Sequence, residues 1–336
     1  MDSNHPVLSH QQKLANELGN YFDNVFVLTG LNGKFMPKHN VFSRSTDWQE
    51  GRNIRNSFVF LFQFMQLIRS KKIDVIYSHM TTYQSLLVAP VAKLLRIPNF
   101  LWYAHKSNSV ALRLAYLVCS GIITSTKGSF PFKGKKVSEI GQGIDLEMFP
   151  FLSNRSVHSY NFVHFGRLDR SKGLIEIIHS LEKKRRIIPS LRLTFIGSPA
   201  RPESVSYRKE IEDLIQSMGY QNWIEIKDAI PRENIFEELV SNDIFIHNFY
   251  GSLDKTLLEA VAIGLDVITI NEEFIKQFGN WDNSRDLTLD NELDKFLNLS
   301  EEVIISKRIQ RRKLLEEFHS FNNWIEKTVE ILKTVN

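Results

Sequence analysis

Two kinds of hydrophobic pattern alternate along the chain. Short runs of β-branched and aromatic residues predict strands, and longer segments with an apolar residue every three or four positions predict amphipathic helices. Because predicted strands alternate with predicted helices, the pattern indicates a parallel sheet covered by helices on both faces. In the first part of the chain the predicted strands span residues 25–29, 73–77, 100–103, 121–124 and 137–140, and the predicted helices span 10–18, 56–70, 83–95 and 110–118.

The same alternation starts again after residue 160, which predicts a second parallel sheet and a second domain. A polar stretch without a clear period, residues 151–160, is predicted to be the linker. The strand and glycine-rich turn that usually open a doubly wound sheet are missing, because the chain begins with a polar segment and a helix. In the second part the predicted strands span residues 161–165, 191–196, 224–226, 244–246 and 267–270, and the predicted helices span 174–184, 203–218 and 321–335.

The composition is that of a folded globular protein, with 43% apolar and 24% charged residues among 336. A chain of this length favours two domains. Its single cysteine, Cys119, excludes a disulfide framework and fits a reducing cytosol. Residues 1–20 lack an apolar core, and the longest apolar stretch, residues 58–68, is too short to span a membrane. These features predict a soluble cytoplasmic protein without a signal peptide.

The charge is distributed unevenly between the two halves. Residues 1–150 carry 17 Lys and Arg against 9 Asp and Glu, whereas residues 151–336 carry 25 against 29. A basic first half predicts an anionic partner there, namely a membrane surface, a phosphorylated acceptor or nucleic acid, and uneven surface charge without a partner is the alternative. No nucleic-acid motif accompanies the charge, so nucleic acid is not expected. Residues 58–64, rich in Phe and flanked by basic residues, predict either a membrane-surface helix or a buried helix.

The first candidate site is the segment from His164 to Gly173, which follows a predicted strand and opens a predicted helix. Gly166 allows a tight turn, and Arg167 and Lys172 supply two cations at the carboxyl end of the strand, where doubly wound sheets bind ligands. A diphosphate needs such cations, both to be bound and to depart as an anion. A strand–turn–helix with solvated charges is the alternative.

The second candidate site is the segment from Gly251 to Gly264. A helix that begins near Asp254 would direct its free backbone N–H groups at the Gly251–Ser252 loop, which favours an anion such as a diphosphate. The Glu259 carboxylate, about one turn into the helix, could accept hydrogen bonds from ribose hydroxyls. A capped amphipathic helix with one exposed Glu is the alternative.

Together the two segments resemble glycosyltransferase family 4, the retaining transferases with the GT-B fold. The resemblance covers most of the chain from about Asp74 and is most specific in the C-terminal half. The residues that carry it are Gly166-Arg167-Leu168 with Lys172-Gly173, Leu258-Glu259-Ala260 with Gly264, Gly141-Gln142-Gly143-Ile144-Asp145 with Phe149, and Asn242-Asp243-Ile244-Phe245-Ile246.

The resemblance implies an α/β architecture of two Rossmann-like parallel-sheet domains facing a cleft. Residues 1–151, completed by a C-terminal helix over 322–336, would form the acceptor-side domain, and residues 152–321 would bind a nucleotide-diphosphate sugar. The first strand of the N-terminal domain would then be either lost from this sequence or never part of it. Neither a metal nor a cofactor is implied, and the sequence contains no Asp-x-Asp pair or His/Cys cluster with ligand spacing.

The resemblance also implies roles for single residues. Arg167 and Lys172 would contact the diphosphate, and Glu259, the second Glu of the family's Glu-seven-residues-Glu motif, would contact the donor ribose. His105 would face the transferred sugar. The loop from Gly251 to Lys255 would meet the phosphates and the sugar. The donor-binding residues implied besides Glu259 are Gly166 in the first segment and Ser252, Leu253, Asp254, Lys255 and Thr256 in the second.

One departure from the family's motif bears on activity, because the first Glu of that motif falls at Gly251. The leading hypothesis is a retaining hexosyltransferase that uses a UDP- or GDP-sugar and a saccharide or lipid-linked acceptor in surface polysaccharide synthesis, located in the cytoplasm or peripherally at the inner face of the membrane. A catalytically inactive GT-B subunit that binds the nucleotide sugar or a partner transferase is the alternative. A GT-B sugar-nucleotide epimerase is disfavoured, because the acid pairs of that family are not found.

Overall fold

The computed structural model describes residues 10–153, 155, 160–199, 201–281 and 287–334 of the chain. Three sequence predictions lie partly outside these ranges. They are the opening polar segment before His10, the linker over 151–160 and the end of the predicted terminal helix. The strands are β1 (Val25–Thr29), β2 (Val41–Ser45), β3 (Ile76–His79), β4 (Asn99–Trp102), β5 (Gly121–Thr124), β6 (Val137–Glu139), β7 (Asn161–Phe165), β8 (Arg192–Ile196), β9 (Ile224–Lys227), β10 (Ile244–His247) and β11 (Asp266–Thr269).

Helices connect almost all of these strands, and two short 3-10 turns occur at Arg170–Lys172 and Arg232–Asn234. The helices are α1 (His10–Leu18), α2 (Asn53–Ser70), α3 (Thr82–Leu94), α4 (Val110–Val118), α5 (Leu174–Arg185), α6 (Pro202–Ser217), α7 (Ile235–Val240), α8 (Lys255–Ile263), α9 (Glu272–Phe278), α10 (Leu289–Leu297), α11 (Glu301–His319) and α12 (Phe321–Lys333).

The chain forms two compact units, which we call unit 1 and unit 2. Unit 1 contains the chain up to Gly143 together with the segment from Phe321 onward, and unit 2 spans Ile144–Ser320. The sequence placed this division later, between residues 151 and 152. The division lies earlier because Ile144 and Phe149 are completely buried in the core of unit 2.

Unit 1 is built on a parallel sheet with the strand order β3-β4-β5-β6, and the parallel pair β1-β2 forms a second small sheet. The side chains of alternate strand residues pack on opposite faces. Phe100 and Trp102 pack with residues of α1 and α12, whereas Leu101 and Ile122 pack with residues of α3 and α4. The C-terminal helix α12 therefore completes the core of the first unit.

Unit 2 is built on a five-stranded parallel sheet with the order β11-β10-β7-β8-β9. One hydrophobic cluster packs on each face of this sheet. Because β7 and β10 are direct neighbours and run in the same direction, the loops that follow them leave the same edge of the sheet next to each other. That adjacency brings the two candidate segments together.

Several elements were not predicted from the sequence. Strand β2 has three consecutive polar residues, Ser43 to Ser45, α7 and α9 are short, and α11 has a weak apolar period, whereas α10 was missed although it is clearly amphipathic. Helix α11 even buries two cations, Arg308 and Arg311. Arg308 forms a buried ion pair with Asp266, with 2.7 Å between Nη2 and Oδ2. None of the described helices is long and apolar enough to cross a membrane.

Candidate functional site

The first segment turns sharply after β7 and directs Lys172 into the protein. The Gly166 N–H donates to the Ile196 carbonyl at 2.9 Å, and the 3-10 turn Arg170–Lys172 follows. Gly173 then adopts a left-handed conformation with φ of 60°. A Cβ at this position would overlap the Asn248 amide, so only glycine fits the close approach to the neighbouring loop.

The second segment leaves β10 and is held in place by one buried amide. The Asn271 side chain, which is fully buried, donates to the carbonyls of Phe249 at 3.0 Å and of Ser252 at 3.1 Å. Its Oδ1 accepts from the Phe274 N–H and caps α9. Asn271 therefore fixes the loop that leads into α8.

The two segments meet in an ion pair between Lys172 and Asp254. The Lys172 side chain is only 7% exposed, and its Nζ lies 4.0 Å from the centroid of the Phe249 ring. The same Oδ2 of Asp254 lies 3.2 Å from His247 Nε2. The other oxygen, Oδ1, accepts from the Thr256 N–H and caps α8, so the helix start that was predicted to have free N–H groups is partly satisfied by its own side chain.

The ionisation states of this cluster follow from burial and charge. Burial alone would raise the pKa of Asp254, but Lys172 and His247 outweigh it and hold the pKa well below its ordinary value. Burial lowers the pKa of His247, against the opposing effect of Asp254. At neutral pH His247 is therefore neutral, and its Nε2–H donates to Asp254 while Nδ1 accepts from the Thr269 hydroxyl at 3.0 Å.

A second buried imidazole, that of His164, stacks on His247 with 6.0 Å between ring centroids. Its Nδ1–H donates to the Ile246 carbonyl at 3.0 Å. Burial, together with the neighbouring His247, lowers its pKa to about 3. His164 is therefore a neutral packing residue at the base of the site.

Arg167 and Lys172 occupy different environments, although both were predicted to contact a diphosphate. The Arg167 side chain is 42% exposed and pairs with Asp169 at 3.2 Å. Asp169 in turn accepts from the Ser204 hydroxyl. Arg167 is thus an accessible cation held at the edge of the sheet, whereas Lys172 is buried against its own carboxylate partner.

Glu259 lies on α8 and is almost completely buried. Its Oε1 accepts from Nη2 of Arg232, which lies in the 3-10 turn after β9. The alternative of a single exposed Glu on this helix is therefore wrong. Lys255, one turn earlier, has its pKa lowered to about 8 by burial and by Arg232, against Glu259 and Asp145, so it remains mostly charged at neutral pH.

The remaining predicted donor residues divide between buried and accessible side chains. The side chains of Ser252 and Leu253 are buried, and Leu253 belongs to the core of unit 2. Thr256 lies close to the first segment, since a Cβ added at Gly166 would be 3.6 Å from its Cγ2.

Gly251, the position of the missing carboxylate, lies against the ring of Phe249. A Cβ added at Gly251 would overlap that ring. The loop conformation therefore has no room for a Glu side chain unless Phe249 moves. The Phe249 ring, stacked under the Lys172 ammonium, takes up the space next to the cation instead.

His105 belongs to unit 1 and lies in the loop that follows β4. Its side chain is exposed, and its Nδ1 accepts from the Ser107 N–H at 3.0 Å. The structure therefore places it at the carboxyl edge of the unit 1 sheet, where a parallel sheet gathers ligand-binding residues.

Sequence reasoning missed four residues that shape the site, namely His247, Phe249, Asn271 and Arg232. The first three lie at or just after the carboxyl ends of β10 and β11, so the rule that drew attention to Arg167 could have found them too. Arg232 had no such signal, because its pairing with Glu259 depends on how α8 packs against the turn after β9. Within the ranges that the structure describes, no group of three or more His, Cys, Asp or Glu side chains could hold a metal ion.

Comparison with known proteins gives a partial family match and several similar structures. Residues 152–282 match the model of the family described as glycosyl transferases group 1, and no curated protein matches. The Anabaena protein Alr3699/HepE, solved with UDP and glucose, has a TM-score of 0.76 at 16% identity, covering 99% of this chain and 98% of that one. Sucrose-phosphate synthase from Thermosynechococcus elongatus has a TM-score of 0.76 at 13% identity, covering 98% and 96%.

A third similar structure, a glycosyltransferase from Rickettsia africae ESF-5, has a TM-score of 0.76 at 14% identity, covering 98% of this chain and 95% of that one. Likeness at such low identity concerns the fold. The expected fold class is confirmed: this is an α/β protein with two Rossmann-like parallel-sheet domains, of the GT-B type found in glycosyltransferases.

Proposed function

We propose that the chain is a glycosyltransferase that takes its sugar from a nucleotide-diphosphate donor bound by unit 2. The observation that carries this proposal is the meeting of the two segments at one edge of the sheet, where Lys172 pairs with Asp254 at the start of α8. The group 1 match over residues 152–282 covers both segments. HepE, which has the same fold, was solved with UDP and with UDP-glucose, and this favours a UDP-hexose as the donor.

The donor would be held by charges of both segments. We assign the diphosphate to Arg167 and Lys255, which are accessible or half-buried cations, and to Lys172. Lys172 must then exchange the Asp254 carboxylate for a phosphate oxygen. We assign the ribose to Glu259, whose Oε1 is oriented by Arg232 and whose other oxygen can accept from the hydroxyls.

The proposed reaction is a transfer with retention of the anomeric configuration. The bond between the anomeric carbon and the diphosphate oxygen breaks with its electron pair remaining on the diphosphate. The oxygen of the acceptor hydroxyl bonds to the same carbon, and the hydroxyl proton passes to the departing diphosphate. The cations stabilise the departing charge without a metal, which is the main catalytic contribution of unit 2. We assign to His105 the sugar-facing role that the family resemblance implies.

We propose a saccharide or lipid-linked acceptor on the side of unit 1, in surface polysaccharide synthesis. The support is the family resemblance and the basic character of the first half of the chain. The same charge supports contact with the inner face of a membrane, where a lipid-linked acceptor would be found.

Calorimetric titration with UDP, UDP-glucose, GDP and GDP-mannose tests the donor site directly. We expect UDP and UDP-glucose to bind, and the substitutions Arg167→Ala and Lys255→Ala to weaken that binding by about tenfold each. Arg186→Ala, which removes an exposed cation elsewhere in unit 2, is the matched control and should leave binding unchanged. Absence of binding by all four ligands would contradict the proposal.

A second candidate function is a catalytically inactive subunit that binds the nucleotide sugar or a partner transferase. Gly251 in place of the motif's first Glu, with Phe249 filling the adjacent space, favours it. Incubation of the chain with UDP-glucose and a mixture of oligosaccharide and polyprenyl-phosphate acceptors separates the two functions. Donor binding with neither hydrolysis nor transfer supports the inactive subunit, whereas any transferred sugar supports the transferase.

A further inference from the structure

Unit 1 carries an exposed apolar surface on the three helices α2, α3 and α4. Helix α2 packs against α3, and α3 packs against α4. Helices α3 and α4 cover the sheet face opposite to the one that packs on α1 and α12. We call the outward side chains of these three neighbouring helices the α2–α4 surface.

Helix α2 contributes a ridge of large apolar side chains to this surface. Ile54, Phe58 and Phe62 are spaced four residues apart and so project from one side of the helix. They are 77%, 70% and 63% exposed, whereas Phe64 faces inward and is buried. Helix α2 therefore has an exposed side, so the sequence-based alternative of a buried helix describes only its inner side.

Helix α4 presents an equally apolar outer side. Four of its exposed residues are aliphatic, and the fifth is a cation, Arg113. The end of α3 adds Leu94 and Leu95, both exposed. An apolar surface built from several neighbouring helices differs from isolated exposed residues and marks an interaction site. The aliphatic residues of α4 are Val110, Leu114, Leu117 and Val118.

The stretch of chain that contains α2, α3 and α4 carries almost only positive charge. Residues 51–138 contain a single acidic residue, Asp74, and its carboxylate is paired with Lys72 at 3.2 Å. The cations of the same stretch are Arg52, Arg55, Arg69, Lys71, Lys72, Lys93, Arg96, Lys106, Arg113, Lys127, Lys133, Lys135 and Lys136.

Several of these cations lie directly beside the apolar residues. Lys93 and Arg96 enclose the exposed pair Leu94 and Leu95 in the sequence. At the end of α4, the Lys136 ammonium donates to the carbonyls of Leu117 at 3.3 Å and Cys119 at 3.2 Å. Cations therefore border the apolar residues at the ends of both α3 and α4.

We infer that the α2–α4 surface docks on an anionic lipid bilayer, with the apolar side chains of α2 and α4 inserted among the lipids and the bordering cations on the headgroups; this inference rests on the membrane contact proposed above and assigns it to a surface. An apolar centre with a basic border is complementary to hydrocarbon beneath anionic headgroups. A second copy of the same surface fits less well, because two such borders would face each other with like charge. The surface uses none of the residues assigned to the donor, so lipid binding and donor binding are separable.

Cosedimentation of the full chain with vesicles tests this inference. We expect binding to mixed phosphatidylglycerol–phosphatidylcholine vesicles, weak binding to phosphatidylcholine alone, and a decline in binding as salt is raised. The double substitution Phe58→Ser with Phe62→Ser should reduce binding by about tenfold or more, as should Leu114→Ser with Leu117→Ser.

The matched control is Ile187→Ser, which removes an apolar side chain that is 80% exposed on unit 2 and should leave vesicle binding unchanged. Thermal unfolding and UDP titration of each variant show whether the fold and the donor site are intact. The inference is overturned if the unmodified chain fails to bind anionic vesicles, or if folded α2 and α4 variants bind as well as the unmodified chain. A concentration-dependent dimer that the same substitutions dissociate, without vesicle binding, would instead assign the surface to a second copy.

Discussion

The two units share a parallel-sheet architecture, but their cations have different partners. In unit 2 cations pair with carboxylates, and two of these pairs are buried, Lys172 with Asp254 and Arg308 with Asp266. In unit 1 the cations of residues 51–138 surround an exposed apolar surface with almost no acidic partners. A shared fold therefore does not determine how charge is used, which depends on the side chains placed at each edge and face.

The largest effect on stability is expected from breaking the buried ion pair between Arg308 and Asp266 inside unit 2. Arg308→Ala leaves the Asp266 carboxylate buried without its partner, and burial already raises the pKa of Asp266. We expect the free energy of unfolding of unit 2 to fall by about 3–5 kcal/mol, measured by urea denaturation. Arg186→Ala, at an exposed pair, should change it by less than about 0.5 kcal/mol. A small loss for Arg308→Ala would mean that Asp266 finds another partner.

A smaller loss of stability is expected when the pH is lowered, and it should affect unit 2. Burial lowers the pKa of His164 from an ordinary 6.5 to about 3, so between these values the unfolded chain binds a proton that the folded chain does not. The contribution of His164 to the free energy of unfolding is fully present above about pH 6.5. As pH falls from 6.5 towards 3, this contribution is lost at up to about 1.4 kcal/mol per pH unit. The lowered pKa values of His247 and Asp254 act in the same direction.

Replacing His164 by Phe should therefore flatten the pH dependence of unfolding, because the new ring can pack on Phe245 without titrating. Denaturation curves at several pH values between 4 and 7 measure the slope. His105→Phe, at an exposed imidazole in unit 1, is the matched control and should keep the slope of the unmodified chain. Equal slopes for all three proteins would show that His164 gains its proton while the protein is still folded.

The next effect concerns the competition between Asp254 and a donor diphosphate for Lys172. Asp254→Asn removes the competing charge, while Asn remains a good cap for α8. We expect UDP to bind about tenfold more tightly in calorimetric titration, with a modest loss of stability from the weakened contact to His247. Weaker binding would show instead that Asp254 must stay charged to hold Lys172 in position.

The smallest effect on the free energy of unfolding is expected from removing single exposed cations of unit 1. Arg69→Ala and Lys93→Ala remove exposed charges near the ends of α2 and α3. Each should change the free energy of unfolding by less than about 0.5 kcal/mol, because neither side chain is buried in a charge network. A loss of stability as large as that expected for Arg308→Ala would show that the exposed cations of unit 1 stabilise the fold as much as the buried pair of unit 2.

Much of the fold follows from the sequence, because its information is local. The strands of the four-stranded and five-stranded sheets were predicted from short β-branched and aromatic runs, and α1 and α4 were predicted with their observed bounds. The sequence also predicted the turn at Gly166 and Gly173 and the helix after Asp254, because a glycine turn and a helix cap depend on neighbouring residues. The weakly periodic α11 was missed, because its buried cations Arg308 and Arg311 contradict an apolar helix face.

The sequence by itself therefore determined two parallel-sheet units and two candidate ligand segments at strand ends. Only the tertiary structure decided which side chains of the two segments contact each other. Lys172 lies beside Asp254 because β7 and β10 are adjacent in the sheet, although 82 residues separate the two along the chain. The same packing gives Glu259 its Arg232 partner and places the Phe249 ring where a Glu at position 251 would have to lie. Pattern and propensity act between neighbours in the chain, whereas the charge state and accessibility of a site depend on residues that only folding brings together.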